Sequence, residues 1–259
     1  MPTPTPSAGA APTPAGPAGA AEVSARLREL YPDARTELEH RDAFELLVAT
    51  VLSAQTTDVR VNSVTPELFS AWPDAAALAA AEESEVTDVV RPLGMGPTRA
   101  RRIIGLARGL LAEHGGEVPD DQAALEALPG VGRKTAHVVR GAWFGRSLLA
   151  VDTHVGRLAR RLGWTAATDP RAVEEDVVAA VRSSPPAGPQ GTGSGEARTE
   201  DAEPPAGPAD RAEHPQEPEE DLAALSLRLI LHGRRICTAR SPRCPDCVLA
   251  DVCPSAGAV

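Results

Sequence analysis

The sequence predicts an all-α fold, and three observations carry that expectation. Apolar residues recur at helical spacing, β-branched alternation is scarce, and no fixed-period repeat or heptad run suggests a solenoid or coiled coil. A first helix is expected over residues 21–30. The next, 43–54 (AFELLVATVLSA), is apolar nearly all round and reads as a buried central helix. Shorter helices follow at 64–69, 74–81 and 83–90. Over 98–114 an apolar stripe alternates with Arg99, Arg101, Arg102 and Arg108, the pattern of a helix with one face in water. Further helices are expected at 121–127, 133–143, 153–162, 170–181 and 222–232.

With 259 residues, 42% hydrophobic and 24% charged, the chain can bury one good core or two small ones. No stretch approaches the roughly 18 consecutive apolar residues of a membrane span. The opening MPTPTPSAGAAPTPAGPAGAA lacks the basic start and apolar run of a secretion signal. A disordered tail over 1–20, a cytoplasmic protein and no membrane partner are therefore expected.

The formal charge of −10 would oppose a nucleic-acid partner if it were spread evenly. It is concentrated instead. Residues 183–221 hold ten acids against Arg198 and Arg211, which is eight of the ten net negative charges. The same segment is rich in Pro and Gly and nearly free of large apolar residues, so it cannot offset the entropy of ordering and is expected to be a disordered insertion.

Between two helical patterns lies Leu128-Pro129-Gly130-Val131-Gly132-Arg133-Lys134, a connection with one Pro and two Gly. This is a helix–hairpin–helix signature. Gly130 and Gly132 let the backbone approach a ligand closely. The unpaired N–H groups at the start of the second helix, with Arg133 beside them, suit a DNA phosphate. An ordinary turn between helices is the plainer reading of the same residues. Lys134 weighs against it, because it is the one lysine in a chain with 25 arginines. Arginine cannot lose its proton in a protein, whereas an amine that must attack carbon needs the free base. The positive end of the following helix and the neighbouring Arg133 both disfavour the ammonium form.

Asp152, in Val151-Asp152-Thr153-His154, precedes the helix at 153–162 and is placed to cap it. Cleavage of an N-glycosidic bond builds positive charge on the sugar, which a carboxylate here can also stabilise. The two roles are compatible. His154, in the same turn, is assigned at most a supporting one.

All four cysteines fall near the C-terminus with the spacing C-x6-C-x2-C-x5-C: Cys237, Cys244, Cys247 and Cys253. Such clustering indicates a metal centre rather than disulfides, and the spacing admits either zinc or an iron–sulfur cluster. Arg240 and Arg243 on the intervening loop are candidate phosphate contacts.

Taken together, LPGVGRKTA, VDTH, ILHGR at 230–234 and the cysteine loop resemble, in that order, the endonuclease III family over about residues 21–254. The resemblance implies a bifunctional DNA glycosylase and abasic-site lyase that excises oxidised pyrimidines through a Schiff base on Lys134, assisted by Asp152. Cleavage of the strand by β-elimination follows. It further implies a [4Fe–4S] cluster on the four cysteines and a pocket acid at Glu126. Gln55, in the LSAQTTD turn with Asp58, is implied to enter the space left by the flipped base. The implied partner is duplex DNA with damaged pyrimidines or abasic sites, bound by a monomer at the nucleoid.

The implied architecture is a six-helix domain over 36–147, a cluster domain of 21–35 with 148–259, and a cleft between them. Two features depart from the family. The wedge loop is matched only loosely by Gly94-Met95-Gly96, with Met95 in place of leucine and no aromatic after it, and the acidic insertion replaces a short connection. Two other readings use the same motifs. An adenine-type mismatch glycosylase is opposed by Lys134, by the neutral VLSAQ and by the chain ending at Val259. A non-catalytic DNA-binding module would keep Lys134 for phosphate alone.

Overall fold

The computed structural model describes residues 16–184 and 221–258. Its elements are α1 (Ala20–Leu30), α2 (Ala43–Leu52), α3 (Asp58–Asn62), α4 (Thr65–Ala71), α5 (Ala75–Ala79) and α6 (Glu83–Val90). They continue with α7 (Gly96–His114), α8 (Gln122–Ala127), α9 (Arg133–Ala142), α10 (Thr153–Arg161), α11 (Pro170–Ser183) and α12 (Leu222–Arg235). No strand occurs among the described residues, so the all-α expectation is met. No helix there is long and apolar enough to cross a membrane.

Two apolar cores form. The first gathers buried residues from Leu38 to Val139 around α2. Every residue of α2 from Phe44 to Leu52 is buried, which is why its sequence shows no polar face. At about 1.5–3 kcal/mol for each large apolar side chain removed from water, this helix anchors that half of the molecule. The second core joins Val23 and Leu27 of α1 to Val155 and Leu158 of α10, Val173 and Val177 of α11, and Leu225 and Leu229 of α12. The chain therefore starts in the second core, builds the first, and returns.

Aspartates set many of the helix starts. Asp42, Asp74, Asp121, Asp152, Asp169 and Asp221 each accept a hydrogen bond from a backbone N–H in the first turn of α2, α5, α8, α10, α11 and α12.

The structure departs from the sequence reading in four places. The helix expected over 43–54 stops at Leu52, and the turn after it carries Gln55 in left-handed backbone (φ 60°). The five-residue helix α3, capped by Thr57, was not expected because a segment so short has no readable period. The start expected at residue 98 lies at Gly96, with Pro97 inside the first turn of α7. The tail expected over 1–20 falls outside the described residues only to residue 15. Ala18 is buried, its N–H donates to Leu162 O at 2.9 Å, and its carbonyl accepts from Trp164 Nε1 at 2.7 Å. Small apolar residues there fill the end of the second core.

The expected insertion over 183–221 lies outside the described residues except at its edges. Ser183 closes α11, Ser184 Oγ accepts from Ala20 N–H at 3.2 Å, and Asp221 caps α12.

Candidate functional site

The hairpin joins α8 to α9. Gly130 holds φ 82°, a backbone that calls for glycine, and a Cβ there would also press on Val51 at 3.3 Å. Gly132 does not share this need. It sits in extended backbone at φ −110° as the N-cap of α9, with nothing within 4 Å of a Cβ. What it contributes is an open, uncapped helix start, because no side chain satisfies the first N–H groups of α9. That leaves them free to meet an anion.

Lys134, the second residue of α9, is exposed at the mouth of two cavities. One is lined with it by Thr50, Ser53, Asp58, Ile230 and Arg234, and so has walls from both cores. The other includes His137, Val151, Asp169 and Glu174. Arg133, expected to hold DNA and to press charge on Lys134, lines that second cavity beside it and is paired there. Its Nε and Nη2 donate to the Glu174 carboxylate at 2.8 and 2.9 Å, and this pairing, against the burial that opposes it, holds the guanidinium pKa above its ordinary value.

Asp152 caps α10. One of its carboxylate oxygens accepts from His154 N–H at 2.8 Å and Val155 N–H at 2.9 Å. Val151, its neighbour, shares the second cavity with Lys134, and the Asp152 charge also acts on Arg234 in the first. His154 is half-buried, and burial lowers its pKa despite the attraction of Asp152. Its Nδ1 accepts from Arg157 Nη2 at 3.1 Å, within the first turn of α10.

Asp58 is paired. Arg234 Nη1 donates to Asp58 at 2.9 Å and to Glu37 at 2.6 Å, a bridge from α12 to the first core. Glu126 lines neither cavity and accepts a hydrogen bond from Gln122 one turn earlier in α8. Gln55 and Met95 are both exposed in left-handed backbone, Met95 at 52%. Arg240 is exposed, whereas Arg243 folds back to donate to the Arg235 carbonyl at 2.7 Å.

Sequence reasoning passed over two residues here. Arg234 stood within ILHGR without an assigned role, and its motif was the available signal. His137, buried beside Lys134, donates from Nδ1 to the Leu149 carbonyl at 2.9 Å, and nothing in the sequence marked it.

The four cysteines line a single small apolar cavity of about 20 Å³ with Ile236, Pro242, Ala250 and Ala256. Among the described residues no three Cys, His, Asp or Glu side chains gather closely enough to hold a single ion. Four thiols lining one apolar hollow are the donor set of a metal centre, and thiolate ligands serve zinc and an iron–sulfur cluster alike. Donors surround the sulfurs. Arg161 Nη1 lies 3.1 Å from Cys237 Sγ, His232 Nε2 3.3 Å from Cys247 Sγ, and Leu249 N–H donates to Cys247 Sγ at 3.4 Å. Burial raises the Cys253 thiol and pushes that of Cys247 up to about 11, so metal binding has to drive their deprotonation. Burial also depresses His232 to about 4, which leaves its ring neutral at physiological pH.

Comparison with known proteins agrees with this geometry. Residues 48–182 match the HhH-GPD superfamily of base excision DNA repair proteins, and residues 237–253, which span all four cysteines, match the iron–sulfur binding domain of endonuclease III. Endonuclease III of Synechocystis sp. is 39% identical over 92% of this chain and 93% of its own length, and that of Escherichia coli K12 is 38% identical over 90% and 93%. A non-covalent endonuclease III–DNA complex superposes with a TM-score of 0.72 at 35% identity, covering 90% of this chain and 92% of that one. A trapped endonuclease III–DNA covalent intermediate gives 0.71 at 35% identity over 89% and 92%. The hairpin, the cavities between two helical cores and the cysteine hollow thus place this chain in the endonuclease III family of HhH-GPD base excision DNA repair proteins.

Proposed function

We propose that the protein excises oxidised pyrimidines from duplex DNA through a Schiff base on Lys134 and then cuts the strand 3′ to the abasic site. As a member of its family it is a DNA glycosylase and abasic-site lyase. The observation that carries the assignment to Lys134 is its placement: the one lysine of the chain, exposed at an uncapped helix start, at the mouth of a cavity walled by both cores. The two cores are read as domains of 36–147 and of the N-terminal helix with 148–259, and the damaged nucleotide enters between them.

In this reading the free amine of Lys134 attacks C1′ of the damaged nucleotide, and the N-glycosidic bond breaks as the base departs with the electron pair. The Asp152 carboxylate stabilises the positive charge that grows on the sugar and takes up the ammonium proton. Sugar-ring opening then gives the imine. Loss of a C2′ proton expels the 3′ phosphate oxygen, which leaves with the C3′–O electron pair. The hairpin amides of Gly130, Gly132 and Lys134 hold a backbone phosphate, and Arg240 supplies a second contact. Gln55 and Met95 enter the duplex where the base has left.

The protein carries a [4Fe–4S] cluster, for which Cys237, Cys244, Cys247 and Cys253 are the ligands and which braces the C-terminal loop. One copy supplies both Lys134 and Asp152, so the enzyme is read as a monomer, acting in the cytoplasm on the nucleoid.

The test is borohydride trapping on a duplex with an oxidised pyrimidine or an abasic site. A covalent adduct is expected with the native chain and none with Lys134→Ala. DNA binding without any trapped adduct in the native chain would sink the lyase assignment. Iron and sulfide analysis of anaerobically purified protein checks the cluster.

A further inference from the structure

Among the described residues, the only two other than glycine with left-handed backbone are Gln55 (φ 60°) and Met95 (φ 53°). They stand on separate connections, one after α2 and one before α7. Backbone of this kind persists in bulky residues only where the surroundings over-determine it. The surroundings here meet in one side chain. Arg99, on the second turn of α7, is 4% exposed. Its Nε donates to Gly94 O at 2.8 Å and its Nη2 to Ala54 O at 2.8 Å and Leu93 O at 3.5 Å, while Nη1 donates to Leu52 O. Ala54 and Gly94 are the residues immediately before Gln55 and Met95. One guanidinium thus grips the peptide plane that leads into each strained residue.

Arg99 has no carboxylate partner among the described residues, and both its burial and the nearby charge of Arg102 work against its own charge. A buried cation without an acid is costly, so its retention calls for a reason beyond filling space. The planar five-donor fork supplies one: its three nitrogens reach separate carbonyls on two loops in a fixed geometry, where a lysine would have to gather them around one nitrogen. Both held side chains face water.

We propose that Arg99 is a positioning residue that locks the Gln55 turn and the Met95 turn into one rigid unit for opening the duplex around the damaged nucleotide. The proposal rests on the reading that Gln55 and Met95 enter the DNA. Arg99 itself touches no substrate. Its effect falls on strand opening and leaves the amine chemistry at Lys134 alone.

The experiment compares Arg99→Met and Arg99→Lys with the native holoenzyme on two substrates. One is a duplex carrying an oxidised pyrimidine with 2-aminopurine opposite it, whose fluorescence reports opening. The other is an abasic site in a single strand, which needs no opening. For Arg99→Met, single-turnover cleavage of the duplex is expected to fall roughly tenfold or more with loss of the fluorescence change, while trapping on the single strand stays within about twofold. Arg99→Lys keeps the charge and most of the volume and is expected to lie between; it decides the matter should Arg99→Met fail to fold. The proposal is overturned if the variants open the duplex as the native chain does. It is equally overturned if they lose both substrates alike with unchanged melting and visible spectrum. Gln55→Ala and Met95→Ala separate the two levels. If they leave the fluorescence change intact, the reading of those residues fails and takes the proposal with it. If they abolish it and the Arg99 variants do not, only the role of Arg99 fails.

Discussion

Asp152 is both a helix cap and the proposed carboxylate of the active site, and two substitutions separate these roles. Its oxygen accepts from His154 N–H at 2.8 Å and Val155 N–H at 2.9 Å, the two donors left over at the start of α10. Asparagine caps as well as aspartate, so Asp152→Asn is expected to cost no more than a few tenths of a kcal/mol. Asp152→Ala leaves both donors unsatisfied and costs about 1 kcal/mol, within a range of about 0.5–2. In a chain of this size that is a drop of about 2–4 °C in melting temperature. The activity prediction differs, because both variants lose the negative charge opposite the developing sugar cation. Formation of the borohydride-trapped adduct under single-turnover conditions is expected to slow by about 10²–10⁴ in each. Even the lower figure corresponds to about 2.7 kcal/mol, more than the cap can supply. Melting curves and trapping rates on the same preparations decide it. An Asp152→Asn enzyme within about threefold of the native rate would refute the catalytic role and leave a cap.

Three further outcomes are expected. In Gly233→Ala the new Cβ would sit 2.9 Å from His154 Cβ and 3.1 Å from Arg157 Nη2, so α10 and α12 must part, costing about 1–3 kcal/mol as read by denaturant unfolding. Arg133→Gln removes the pair with Glu174, of which Arg133 is 39% and Glu174 16% exposed, and should cost under about 1 kcal/mol. It should leave the salt dependence of DNA binding unchanged; a slope shallower by about one would show that Arg133 leaves Glu174 for a phosphate. Cys247→Ser is expected to abolish the visible absorption of the cluster, lower the melting temperature and expose the loop after Ile236 to proteolysis; full iron content with native melting would contradict the ligand assignment.

Much of the fold was legible because its signals are local. An apolar run such as AFELLVATVL has to be buried, and six aspartates at helix starts act within their own first turn. The spacing of the four cysteines and the hairpin glycines are equally local, and the lone lysine needed only a count. What escaped depends on residues distant in the chain. Arg133 is committed to Glu174, 41 residues on, and Asp58 to Arg234, 176 residues on, so both looked free in the sequence and neither is. Glu126 accepts from Gln122, a partner within its own helix that its place in LEALPG did not announce.

The sequence by itself offered most of the helices, the four-cysteine ligand set and the lysine proposed for the chemistry, since periodicity, spacing and residue type are local. Only the tertiary structure decided which charges are spent on one another and which face a substrate. It brought the four cysteines around one apolar hollow. It also joined the Gln55 and Met95 turns through the buried guanidinium of Arg99. The reason is physical: a charged side chain pairs with whatever the fold brings within about 3 Å, and that neighbour is set by packing, which a linear pattern does not contain.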